Sequence, residues 1–161
     1  MKVIFQEHYG PITEEDITTF ETAHNLRFPQ DYRDFLKKYN GAFRPDREVI
    51  HYEIRGKRYG TFLNLLFGIK EQRGNSIPMQ SDYSPPWNRF FPIGIDAGPN
   101  SFEMSLREAD FGAIYFWENS QPFEINDEEK QSAFFIASSF TAFLDSLLTI
   151  KESKRIMSDN E

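Results

Sequence analysis

His8, His24 and His51 stand far apart, and none has a partner at the HxxxH or HxH spacing that lets two imidazoles reach one metal ion. They read as solvated side chains. With no cysteine, the chain has no thiolate nucleophile, no thiolate-bound zinc and no disulfide. A nucleophilic serine needs an elbow such as GxSxG to lift its hydroxyl clear of a sheet, and none occurs. Gly56, Gly60, Gly94 and Gly98 match neither the GxGxxG fingerprint nor a phosphate-binding P-loop, so they are read as turn glycines. Asp96 and Glu103 are placed to face one another across a hairpin, which would raise one carboxyl pKa and make an acid/base pair. The alternative is two solvated acids on an outer strand face. No catalytic, cofactor or metal set emerges, and the chain is read as a non-enzyme.

What remains is a surface suited to binding. In the segment Ala113 to Trp117, alternation that turns Ile114 and Phe116 inward turns Tyr115 and Trp117 outward. They would share that face with His51, Glu53, Arg55, Asp96, Glu103 and Arg107. Aromatics ringed by charge resemble a protein-binding hot spot, because Trp and Tyr offer large contact area at small entropic cost. Cover from the Pro-rich loop or the chain ends is the competing account. Next to Trp117, residues 118–129 hold Glu118, Glu124, Asp127, Glu128 and Glu129 and no basic side chain. Such a loop can mimic phosphate charge and speed encounter with a basic partner, or it can be a solvated loop before a helix. Trp87, in the proline-rich stretch from Lys70 to Asn88, completes the candidate set, since long loops in small domains are often functional.

These side chains need elements to hold them. Thr13 before Glu14-Glu15-Asp16 is a helix cap, with Ile12 and Ile17 as a staple and Asn25 as a stop. Phe28-Pro29-Gln30-Asp31 restarts a helix whose Tyr32, Phe35, Leu36 and Tyr39 form one stripe, ending at Asn40-Gly41. Glu48 to Arg55 has period two and predicts a strand, joined through Gly56-Lys57 to a second over Tyr59 to Phe67. Leu63 to Phe67 is apolar enough to be either central strand or helix. Phe91 to Arg107 predicts a hairpin turning at Ala97-Gly98-Pro99-Asn100, and Ala113 to Trp117 the next strand of a meander. Ile93 and Ile95 are both expected on the core side. Ala133 to Leu148 predicts a closing helix, with Ile136, Phe140, Phe143, Leu144 and Leu147 on one stripe. Residues 151–161 are charged and expected to fray, leaving 1–150 as the domain.

At 161 residues and 39% hydrophobic, the chain suits one α+β domain with a mainly antiparallel sheet packed against helices. The formal net charge of −7 argues against direct binding to nucleic acid, whose phosphates demand cations. Met1 to Tyr9 holds no apolar run of signal-peptide length, and no later run approaches the ~18 apolar residues of a membrane span. A cytoplasmic, soluble chain is the expectation.

Three segments together resemble the SUKH (Smi/Knr-type) superfamily: Leu26 to Leu36 running into Tyr39-Asn40-Gly41, Phe91-Pro92-Ile93-Gly94-Ile95-Asp96 with Gly98 and Asn100, and Ile136 to Leu144. Gly112 to Glu118 is similar to the family's pattern after the hairpin. Pro99 between Gly98 and Asn100, and Ala42 after Gly41, depart from it. The resemblance implies an α+β protein-binding module without cofactor or catalytic residues. It further implies a bacterial immunity protein that blocks a cognate toxin domain, often a nuclease, or a regulatory module with an endogenous partner, as in the fungal cell-wall regulators.

Overall fold

The computed structural model describes residues 3–71, 89–118 and 133–159. Helix α1 (Glu14–Ala23) begins at a reciprocal capping box: Thr13 Oγ1 accepts from Asp16 N–H at 3.0 Å, and Asp16 Oδ2 accepts from Thr13 N–H at 2.9 Å. Ile12 and Ile17 are both buried beside it. Helix α2 (Gln30–Tyr39) follows Pro29 and ends at Asn40, left-handed at φ 50°. Asn40 is fully buried. Its Oδ1 accepts from Ile69 and Lys70 N–H, and its Nδ2 donates to Lys70 C=O at 2.6 Å. The two backbones meet so closely that a Cβ on Gly68 would lie 2.5 Å from Asn40 O.

Eight strands form a sheet among the described residues: β1 (Phe5–His8), β2 (Ala42–Pro45), β3 (Val49–Ile54), β4 (Lys57–Leu66), β5 (Phe90–Asp96), β6 (Ser101–Ser105), β7 (Ile114–Trp117) and β8 (Ala133–Ala137). Their order is β1-β2-β4-β5-β6-β7-β8, every pairing is antiparallel, and β3 joins β4 from off that path. Leu63 to Leu66 is therefore strand. Strand β4 is the spine, because its first half pairs with β3 and its second half with β2 and β5. Arg55 and Gly56, at φ 52° and 79°, make the tight turn between β3 and β4 that a two-residue hairpin loop requires.

One face of the sheet carries the core. Phe91, Ile93, Phe102, Met104, Ile114 and Phe116 pack there against α1, α2 and a short helix α3 (Phe140–Asp145). Aromatic rings meet across that boundary, as in Phe28–Phe91 at 4.9 Å and Phe102–Phe143 at 5.4 Å.

The segment expected to be one helix from Ala133 to Leu148 is instead β8 followed by α3. Ala133 to Ala137 is rich in Phe and Ile and gains a ladder on β7 whose register shifts at Ile136, while Ser139 caps α3 by accepting from Ala142 N–H at 3.0 Å. The stripe at helical spacing therefore straddles two elements. Helix α4 (Ile150–Asp159) takes in most of the 151–161 stretch expected to fray and is docked on the β3 side by Arg47–Glu152 (2.6 Å) and His51–Ser153 (2.8 Å). Leu148 exchanges both backbone hydrogen bonds with Val49 just before it. No helix among the described residues is long and apolar enough to cross a membrane.

Candidate functional site

The other face of the sheet, between β5 and β8, is where the candidate residues gather. Glu103 pairs opposite Tyr115, and Ser101 opposite Trp117, so an acid and two aromatics from adjacent strands share that face. Glu103, Tyr115 and Trp117 are each half-buried. Phe90, fully buried, meets Tyr115 at 5.3 Å and Trp117 at 5.1 Å, both edge to face. Phe135 of β8 adds a further edge contact to Tyr115 at 5.8 Å and is 56% exposed.

A polar network fixes one side of this cluster. Asp110, at the end of a short 3₁₀ turn (Glu108–Asp110), accepts at Oδ1 from Ser105 Oγ (2.5 Å) and Arg107 Nε (3.0 Å). At Oδ2 it accepts from Tyr115 OH (2.6 Å) and from Arg107 Nη2. Partial burial pushes the Asp110 carboxyl up, but the donors Arg107, Ser105 and Tyr115 outweigh this and hold it below its usual value. Burial and the Asp110 carboxylate push the Tyr115 phenol up to about 12. The Arg107 guanidinium lies 4.7 Å over Phe90 and 6.0 Å from Tyr115, a cation–π arrangement that leaves it doubly committed.

Glu103 is the anomaly. Its Oε2 is shut off from solvent and has no hydrogen-bond partner among the described residues. Burial raises its carboxyl to about 8, with a hydrogen bond to Ser101 only partly opposing this. At neutral pH it is therefore mostly protonated, unlike the solvated outer-face acid of one sequence expectation. It forms no pair with Asp96 either.

Asp96 lies on the core side, away from Glu103. The ladder shifts register between Pro92 and Gly94, because Pro92 has no N–H to give and an extra residue is accommodated there. Gly94 then pairs with inward-facing Phe102, and Ile95 pairs with Ser101 on the opposite face. Counting by twos put Ile95 inside; the bulge turns it out and Asp96 in. Asp96 is 5% exposed and holds the β5–β6 turn, accepting from Gly98 N–H, Asn100 N–H, Asn100 Nδ2 and Thr61 Oγ1 at 2.8–3.1 Å. The Tyr52 hydroxyl, raised first by burial and then by the charges of Glu118 and Asp96, marks the side on which both acids sit. Glycine roles divide likewise. Gly56 and Gly98 serve turns, whereas Gly94 lies inside β5, where a Cβ would come 2.4 Å from Leu65 O. Gly60 lies inside β4.

Of the ten candidate residues, Glu103, Tyr115 and Trp117 come together, while Asp96 and Glu118 sit apart on the Tyr52 side. Trp87, Glu124, Asp127, Glu128 and Glu129 lie outside the described residues. His51 and Glu53 line a different feature, an open groove of about 630 Å³ bordered also by Tyr52, Arg58, Phe135 and Ile156. Sequence reasoning missed Phe90 and Phe135 as members of the aromatic cluster, and Ser105 and Asp110 as members of the polar network beside it. The Phe90-Phe91 pair carried a signal, since consecutive strand residues must face opposite sides.

The fold is thus an antiparallel sheet backed by helices on one face, with an aromatic and acidic cluster on the other. Residues 11–146 match the SMI1/KNR4 family (SUKH-1), and the chain belongs to it. Among curated proteins it is similar to the SPbeta prophage-derived uncharacterized protein YokK of Bacillus subtilis (strain 168). The two are 29% identical over 151 residues, covering 84% of this chain and 74% of that relative. No solved structure matches.

Proposed function

We propose that this protein is an immunity protein: it binds a cognate toxin domain, of which a nuclease is the favoured kind, inside the cell that makes both, and blocks it by occlusion. Membership of the SUKH-1 family carries the reading, since the family suggests a protein partner. Two observations add support. The chain has a net charge of −7, suited to the basic groove of a nucleic-acid-cleaving enzyme. Half-buried Tyr115 and Trp117 stand beside each other on a sheet face held rigid by the Asp110 network, and rigid aromatics are favoured anchors in protein interfaces. The residues expected to meet the partner are Tyr115, Trp117 and Glu103.

Co-expression with toxin genes from the same locus tests the proposal. Cells that survive toxin induction only when this chain is present, together with a stoichiometric complex on size-exclusion chromatography, are the expected result. Survival unchanged by the chain, with no complex formed with any neighbouring gene product, would overturn it. Capture of an endogenous, non-toxic protein in the same experiment would favour a regulatory module instead.

A further inference from the structure

Glu103 is a buried carboxyl without a counter-ion among the described residues, and that is an uncommon thing for a folded protein to keep. Buried polar atoms are nearly always hydrogen-bonded, so each exception calls for a physical explanation. Oε2 has no partner among the described residues. The guanidinium on the same face does not supply one: Arg107 donates through Nε and Nη2 to Asp110 and lies over Phe90. Ser101 and Ser105 flank Glu103 along β6, and Ser105 Oγ donates to Asp110. The strand neighbours opposite Glu103 are Pro92 on β5 and Tyr115 on β7, neither of them charged at neutral pH.

The surroundings suit one class of group. Tyr115 stands opposite Glu103 and Trp117 opposite the next residue on that face, Ser101, so the carboxyl lies alongside two large aromatics. Aromatic faces attract organic cations, and the attraction strengthens as water is excluded. This cluster already shows that preference, because Arg107 occupies the face of Phe90. Glu103, Tyr115 and Trp117 each keep some exposed surface as residues, while the acceptor oxygen of Glu103 is shut off from solvent.

We infer that Glu103, Tyr115 and Trp117 form a receptor for one cationic side chain, a lysine ammonium or an arginine guanidinium, presented by the bound protein. The inference rests on the protein-binding reading and adds the chemistry of the contact. On binding, the Glu103 carboxylic acid loses its proton to solvent, the carboxylate pairs with the incoming cation, and the aromatic rings cover the cation's apolar stem. The unpaired oxygen of the free protein becomes the acceptor of that charged hydrogen bond.

The test uses the whole chain with n-butylammonium and ethylguanidinium as separate probes and n-butanol as the neutral control, following the Glu103 side-chain carboxyl resonance by carbon NMR in the native chain and in W117A, and the Tyr115 ring resonances in every variant. The expected result in the native chain is a saturable shift toward the carboxylate position with a Kd in the millimolar range and no shift with butanol, with affinity weakened about tenfold or more in E103Q and in W117A. Release of about one proton per bound cation near neutral pH, read as a buffer-dependent binding heat, is the accompanying signature, because a purely structural Glu103 would release none. Cations that leave the resonance unmoved at about 100 mM, or that bind E103Q as tightly as the native chain, overturn the inference. Failure here is distinguishable from failure of the immunity reading. Full protection of cells by E103Q removes this receptor and leaves the immunity function standing, whereas cation binding by a chain that protects against no toxin does the reverse.

Discussion

Glu103 has an energetic consequence that holds whatever the protein binds. Its folded-state carboxyl titrates at about 8, against 4.5 for the ordinary group. Between those values the folded chain holds a proton that the unfolded chain has released, so the contribution to stability is complete below about 4.5 and is lost as pH rises toward 8. The expected slope reaches about 1.4 kcal/mol per pH unit at most, and less if the site relaxes on ionisation. E103Q, which keeps the shape and removes the titration, is predicted to flatten that slope. Urea unfolding of both chains at pH 5, 6.5 and 8 checks it, and equal slopes would show that Oε2 is solvated in the folded protein. The sequence displayed Glu103 and its aromatic neighbours, because period two across β6 and β7 is regular. It did not display the burial, which depends on what lies over a strand and not on the strand's own pattern.

Among the elements, those set by local chemistry were legible and those set by competition were not. Thr13 with Asp16, and Asn40 with its left-handed backbone, announce the ends of α1 and α2 whatever the tertiary context. Ala133 to Leu148 satisfied a helical stripe equally well as strand plus short helix, and the free edge of β7 decided the matter. The bulge in β5 is hidden for a different reason: Pro92 and Gly94 are in plain view, but strict alternation carried through them assigns Ile95 to the wrong face. Proline followed by glycine inside a strand pattern is the sequence signature that locates such a shift. Gly94 carries a prediction at this scale. G94A drives a Cβ against Leu65 O and Leu66 and is expected to cost about 1–3 kcal/mol, measured as a lower urea midpoint, while leaving the β6–β7 aromatics in place. A neutral G94A would mean that β4 and β5 separate more easily than the packing shows.

For the molecule as a whole, charge and fold divide the work of recognition. A net charge of −7 acts over distances near the Debye length, about 10 Å at 0.1 M salt, so it governs approach more than residence. Association with a basic partner is predicted to slow about tenfold or more between roughly 50 and 500 mM salt, with dissociation changing far less, as stopped-flow fluorescence can show. Association insensitive to salt would assign recognition to the aromatic cluster alone.

Strand β3 shares the spine strand's edge with β2, yet among the described residues only its first residue is secured by backbone hydrogen bonds on the outer side, where Val49 and Leu148 exchange both. Backbone groups alternate in direction along a strand, so the amides of His51 and Glu53 point the same way as that of Val49, while Ile50, Tyr52 and Ile54 are tied into β4. In deuterated solvent β3 should therefore keep two clocks, with protons at positions 50, 52 and 54 surviving far longer than those at 51 and 53. Slow exchange at 51 and 53 would mean that the outer margin of β3 is sealed in solution. A sawtooth would mark it as the place where this sheet can still accept a further strand.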